Sequence, residues 1–100
     1  MIYGFDIDGI LTIETEGHDY ENRTLNKSTK EVINRLYDIG HTIIFFTSRD
    51  QVDERVTIDF MLQHSIKYDN IIFNKPKCDY FIDDKNIDLT YLVEKYTKGD

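Results

Sequence analysis

Two carboxylates spaced two residues apart, Asp6 and Asp8, end the apolar run that opens the chain, and Gly9 follows them directly. On an extended strand, residues two apart point to the same side, so this pair converges where the strand leaves its sheet. Like charges held so close repel, and a divalent cation relieves that repulsion. Taken alone, Asp-x-Asp-Gly also reads as a solvated turn, because Asp and Gly are ordinary turn residues. An EF-hand calcium loop is a further reading, but it needs a third acid before its glycine and a helix on each side, and both requirements fail. The rest of the chain favours chemistry. Thr47, Ser48 and Arg49 follow a second apolar run, Lys75 and Pro76 a third, and Asp83 and Asp84 a fourth.

These residues need a scaffold that gathers them. Ile2 to Ile7 is short and almost continuously apolar, the pattern of a strand buried on both faces. Gly9 to Lys27 lacks clean periodicity and reads as an irregular excursion, hairpin-like, leaning over the end of strand one. Ser28 and Glu31 fit a capping box, so a helix is expected to start there, with Val32, Ile33, Leu36 and Tyr37 on its inner face and Gly40 as its left-handed terminator. Thr42 to Phe46 is the second strand. Asp50 is positioned to cap a second helix, with Val52, Val56, Phe60, Met61 and Leu62 as its apolar stripe up to about His64. Ile71 to Phe73 and Tyr80 to Ile82 read as strands three and four. Leu89, Leu92, Val93 and Tyr96 repeat at three and four, as a closing helix does.

Strands alternating with helices imply right-handed crossovers and a parallel sheet covered on both sides. The fold class expected is therefore α/β, a three-layer α/β/α sandwich around a Rossmann-like sheet, with residues 1–100 forming one domain. Parallel strands place their carboxyl ends on one edge, so Asp6, Asp8, Thr47, Ser48, Lys75, Asp83 and Asp84 should meet in one crevice. Two acids from strand one and one or more from strand four suit Mg²⁺, which prefers hard oxygen ligands. Lys75 and the Thr47 hydroxyl supply positive charge and a donor for a phosphoryl group, and Asp8 can move a proton to the leaving group and from water.

The order and spacing of these residues resemble the four motifs of the haloacid dehalogenase superfamily of phosphohydrolases. Asp6-Ile-Asp8-Gly9-Ile-Leu-Thr12 is similar to the first motif, Thr47 to the second, Lys75 to the third, and Asp83-Asp84 with Asp88 to the fourth. Ile44 to Arg49 and Tyr68 to Asp84 further resemble small phosphatases of capsular polysaccharide gene clusters. The superfamily resemblance implies Asp6 as a phosphoaspartate nucleophile and Asp8 as acid/base. It implies Mg²⁺ held by Asp6, the main-chain carbonyl of Asp8 and Asp83. Thr47, Ser48 and Lys75 would bind phosphate, and Asp84 and Asp88 would steady the metal ligands. Ile10 departs from the threonine usual in motif one, and Asn74 from a glycine common before the lysine in the capsule group.

Composition bounds the partners. A formal charge of −7 disfavours duplex nucleic acid or an anionic membrane. Cys78 is the single cysteine, so no internal disulfide is possible, and a small buried apolar role is expected for it in a reducing cytoplasm. No stretch reads as a signal core or a membrane span. His18, His41 and His64 lack metal-ligand spacing, and Arg49 is balanced between binding a substrate anion and pairing with an acid.

A receiver domain also sets acids, a Thr and a Lys-Pro on a parallel sheet, but it places Lys-Pro last, whereas here Asp83-Asp84 follows it. A catalytically silent phosphate-binding module is the remaining rival. The expected activity is Mg²⁺-dependent hydrolysis of a small phosphorylated metabolite such as a sugar phosphate, with a nucleotide or a 3′- or 5′-nucleic-acid end as the alternative. Neither gap between motifs holds a cap domain, so the acidic loop Glu14 to Glu21, a second subunit of a homo-oligomer, or a large substrate is expected to cover the site.

Overall fold

The computed structural model describes residues 1–13 and 19–97. Strands β1 (Ile2–Asp6), β2 (Thr42–Phe46) and β3 (Asn70–Ile72) form a parallel sheet in that order. Helices α1 (Lys27–Asp38), α2 (Glu54–Gln63) and α3 (Leu89–Thr97) flank it, giving the parallel Rossmann-like α/β architecture expected.

Register explains the core. Phe45 lies between Phe5 on one side and Ile71 on the other, and Tyr3 lies opposite Ile43, so one face of the sheet presents a continuous apolar surface. Phe5, Ile43 and Phe45 are buried there in one cluster with Val32, Ile33 and Leu36 of α1, Phe60 and Met61 of α2, and Leu92 of α3. The other face carries Ile2, Gly4, Ile44, Phe46 and Ile72; Ile2 keeps 70%, Phe46 39% and Ile72 41% of its surface exposed.

Several local expectations shift. Helix α1 starts one residue before Ser28, because the Asn26 side chain, not Ser28, accepts the Thr29 amide. An Asn cap satisfies that amide as well as a hydroxyl does. Gly40 ends the helix at φ 103°, the left-handed conformation that glycine adopts without a Cβ clash. Asp50 makes no side-chain capping bond. A 3₁₀ turn over Gln51–Asp53 precedes α2 and breaks the helical phase, leaving Val52 outside the helix. Val52 is 85% and Leu62 73% exposed, so the inner stripe of α2 narrows to Thr57, Phe60 and Met61, with Val56 half-buried beside them.

The expected fourth strand, Tyr80–Ile82, is not paired. A parallel strand beside β1 needs a crossover of roughly a dozen residues or more, and only residues 73–79 separate it from β3. Residues 76–88 are exposed throughout. Cys78 is among them, an exposed free thiol rather than the buried one expected. No helix of the described residues is long and apolar enough to cross a membrane.

The excursion after β1 is partly hairpin-like. The Ile13 amide donates to the Thr24 carbonyl at 2.8 Å and the Asn26 amide to the Leu11 carbonyl at 2.8 Å. Glu14, Glu16 and His18 of the expected cover lie outside the described residues.

Candidate active site

Asp6 is the last residue of β1 and is half-buried. Its Oδ1 accepts the Ile7 amide at 2.8 Å, which ties the carboxylate to its own backbone. Its Oδ2 lies 3.8 Å from Lys75 Nζ. The backbone around Lys75 explains that approach. The Lys75 amide donates to the Thr47 carbonyl at 2.8 Å and the Asn74 amide to the Arg49 carbonyl at 2.9 Å, so the segment after β3 is stitched to the segment after β2. Asn74 adopts φ 61°. Asparagine tolerates this left-handed conformation better than most residues, which accounts for its standing where a glycine is common.

Asp6, Lys75 and Asp83 line one cavity of about 710 Å³, together with Ile44, Phe46 and Phe81. Lys75 Nζ sits 4.2 Å from the centre of the Phe81 ring, so an aromatic face supports the ammonium beside Asp6. Asp83 is exposed, and its Oδ1 accepts the Lys85 amide at 2.9 Å. Asp88 Oδ1 accepts the Thr90 amide at the start of α3. Thr47 is buried, with its Oγ1 accepting the Arg49 amide at 3.1 Å. Ser48 is half-buried on the same turn. A second cavity, about 660 Å³, lies along α1 among Lys30, Glu31, Arg35 and Asp38 and contains none of these groups.

The donor set on the main cavity wall is hard oxygen, as Mg²⁺ prefers, with Asp6 and Asp83 both facing it. Among the described residues no three His, Cys, Asp or Glu side chains gather into a ready cluster. A cation there would therefore take part of its shell from main-chain, water and substrate oxygens, as Mg²⁺ commonly does.

Asp8 is held differently. Gly9, at φ 90°, turns the chain back so that its amide donates to the Thr12 carbonyl at 3.0 Å. Thr12 Oγ1 then donates to Asp8 Oδ1 at 3.1 Å. Arg49 donates twice, from Nε to Asp8 Oδ2 at 2.9 Å and from Nη2 to Oδ1 at 2.8 Å. Arg23 Nε adds a charge 3.8 Å from Oδ1. Tyr20 covers the pair, its ring centre 4.0 Å from the Arg49 guanidinium carbon. The sequence leaves Arg49 balanced between two roles, carries Thr12 within its first motif without a role, and does not mark Tyr20, Arg23 or Thr57. The only signal for Arg49 was its place on the turn after β2, two residues past Thr47.

Burial of Asp8 pushes its carboxyl pKa up. The Arg49 hydrogen bonds and charge, with Thr12 and Arg23, outweigh burial and hold it below the ordinary value. A depressed folded pKa contributes stability that is present above the unfolded carboxylate pKa of about 3.9 and is lost as pH falls through the lower folded value. The native protein should thus lose more thermal stability than Asp8→Asn between about pH 4 and pH 2. Parallel melting curves in acid would count against the pairing.

No curated protein matches the chain. Among solved structures, a crystal structure of a structural-genomics target from Vibrio cholerae is similar with a TM-score of 0.80 at 21% identity, covering 97% of this chain and 94% of that one. A structure of the Pnkp1/Rnl/Hen1 complex is similar with a TM-score of 0.66 at 22% identity, over 82% of this chain but 30% of that one. A structure of the Pnkp1/Rnl/Hen1 RNA repair complex gives 0.64 at 18% identity, over 94% and 29%. At these identities the likeness is one of fold. A family described as the LNS2 domain of PITM 1-3 matches residues 4–98, a span that includes Asp6, Asp8, Thr47, Lys75 and Asp83. It is this family, and not the capsular phosphatases, that the match supports. Matched over nearly its whole length, and folded as a parallel α/β domain with Asp6, Thr47 and Lys75 at or just past its strand ends, the chain belongs to the LNS2-domain family, with its haloacid-dehalogenase-like phosphatase fold.

Proposed function

We propose that the protein is an Mg²⁺-dependent phosphomonoester hydrolase that works through phosphorylated Asp6 on a small phosphorylated metabolite. The observation that carries this reading is the placement of Asp6, 3.8 Å from Lys75, in a cavity of about 710 Å³ that Asp83 also lines. That volume falls within the range of small-molecule sites, roughly 300–1,000 Å³.

In this reading Lys75 neutralises charge on the phosphoryl oxygens while Asp6 attacks phosphorus. The bond from phosphorus to the leaving oxygen breaks, and Asp8, ionised at rest beside Arg49, passes that oxygen a proton drawn from solvent. Asp8 then takes a proton from the water that attacks the acyl phosphate, releasing inorganic phosphate and restoring the Asp6 carboxylate. Thr47 and Ser48 hold the phosphate from the turn after β2. Asp6, the Asp8 carbonyl and Asp83 would hold Mg²⁺, which supplies charge compensation for phosphoryl oxygens. Asp84 and Asp88 belong to the surroundings of that set. A cytoplasmic place of action, and a second copy of the chain as a possible cover, belong to the same proposal.

A nucleic-acid end phosphatase is the second reading, favoured by the likeness in fold to the Pnkp1/Rnl/Hen1 RNA repair complex. The net charge of −7 disfavours it. Release of phosphate with Mg²⁺ from a panel of sugar, polyol and nucleotide monoesters, against 3′- and 5′-phosphorylated oligonucleotides, separates the two. The first reading expects the highest kcat/KM among the small esters; a clear preference for oligonucleotide ends would replace it with the second.

A further inference from the structure

We propose that Arg49 is a positioning residue whose task is to fix the plane and direction of the Asp8 carboxylate. This rests on the phosphohydrolase reading. Arg49 lies three residues past the end of β2, and its backbone is tied on both sides: its amide donates to Thr47 Oγ1 at 3.1 Å, and its carbonyl accepts the Asn74 amide at 2.9 Å. Its side chain is 1% exposed and every guanidinium nitrogen has a partner. Nε and Nη2 bind the two Asp8 oxygens, while Nη1 donates to Thr57 Oγ1 at 2.9 Å. Thr57 is fully buried on α2, and its hydroxyl donates to the Asp53 carbonyl at 2.8 Å, so it meets Nη1 as an acceptor. Tyr20 closes the guanidinium face.

These contacts weigh against a direct substrate role. A guanidinium with no exposed edge cannot reach a phosphate without first releasing Asp8. A planar fork gripping both oxygens of a carboxylate does fix its orientation, because two parallel bonds define a plane that one bond leaves free. Thr57 and Tyr20 then carry that orientation back to α2 and to the turn over Tyr20–Asn22.

The consequence is a dependence of Arg49 on Asp8. Lysine keeps the charge but cannot form the fork, so Arg49→Lys should lower kcat by about tenfold to a hundredfold with KM little changed, the scale of a misplaced reacting group. In an Asp8→Asn background the same change should cost less than about threefold, because the carboxylate it orients is gone. The assay is hydrolysis of p-nitrophenyl phosphate with Mg²⁺, whose leaving group needs no proton, so misplacing or removing Asp8 slows only the hydrolysis of the acyl phosphate and Asp8→Asn retains a measurable rate. Circular dichroism confirms folding. If Arg49→Lys does not fold, Thr57→Val, which removes a single anchor of the guanidinium, takes its place with a smaller kcat loss and the same disappearance in Asp8→Asn. Equal losses in both backgrounds, or a loss in KM alone, overturn the positioning role while leaving the hydrolase reading intact. A native protein with no activity on any monoester removes both.

Discussion

Asp6→Asn should abolish phosphatase activity, lowering kcat by several orders of magnitude rather than a few fold, with the fold intact. The substitution removes the proposed nucleophile and one proposed metal ligand together, and losses of groups that act as a unit are this large. Its structural cost should be small. Asn Oδ1 can still accept the Ile7 amide that Asp6 Oδ1 accepts at 2.8 Å, and the volume is unchanged. The ion pair to Lys75 is lost, but at 3.8 Å and with Asp6 39% exposed such a pair contributes little stability. An unchanged melting temperature beside lost turnover is the expected result. Activity within tenfold of native would remove Asp6 from the chemistry.

Lys75→Ala should lower kcat/KM by about a hundredfold to a thousandfold, the scale of losing one preorganised electrostatic contact to developing charge. The loss should be alike for all esters, because the phosphoryl oxygens are common to them. Asp8→Asn should behave otherwise. It should lower kcat for every ester, because hydrolysis of the acyl phosphate loses its base, and should cost far more with alkyl phosphates than with p-nitrophenyl phosphate, since only a poor leaving group also needs a proton as the bond breaks. A leaving-group series run on both variants tests the division of labour; equal slopes would show that the two residues do not act in these separate ways.

Much of the fold and part of the site could be read from residue patterns. Apolar runs that each stop at a polar residue marked β1, β2 and β3, and a parallel sheet puts such stops on one edge. That is why Asp6 and Lys75, far apart in sequence, come to 3.8 Å. Reading failed where a local signal competed with a geometric limit. Tyr80–Ile82 has strand composition, yet residues 73–79 are too short for a parallel crossover. Ser28 is a good cap, yet Asn26 stands two residues earlier and caps first. Val52 fits a helical stripe, yet the 3₁₀ turn before α2 removes it from that face. The Arg49 clamp was out of reach for another reason. A residue on a turn carries no periodic mark, and its partners Asp8, Thr57 and Tyr20 come from three separate segments whose meeting only the tertiary fold decides.

The central claim is that Asp6 carries the phosphoryl group between leaving group and water. Asp8→Asn offers the most direct view of it. With p-nitrophenyl phosphate, transfer to Asp6 needs no proton donor, whereas hydrolysis of the acyl phosphate lacks its base, so the intermediate should accumulate. Acid quenching during turnover with Mg²⁺, followed by mass spectrometry of the peptides, is predicted to show one phosphoryl group on the peptide containing Asp6 and none in Asp6→Asn. Turnover by the native protein, with Asp6 unmodified in quenched Asp8→Asn and activity retained in Asp6→Asn, would contradict the account.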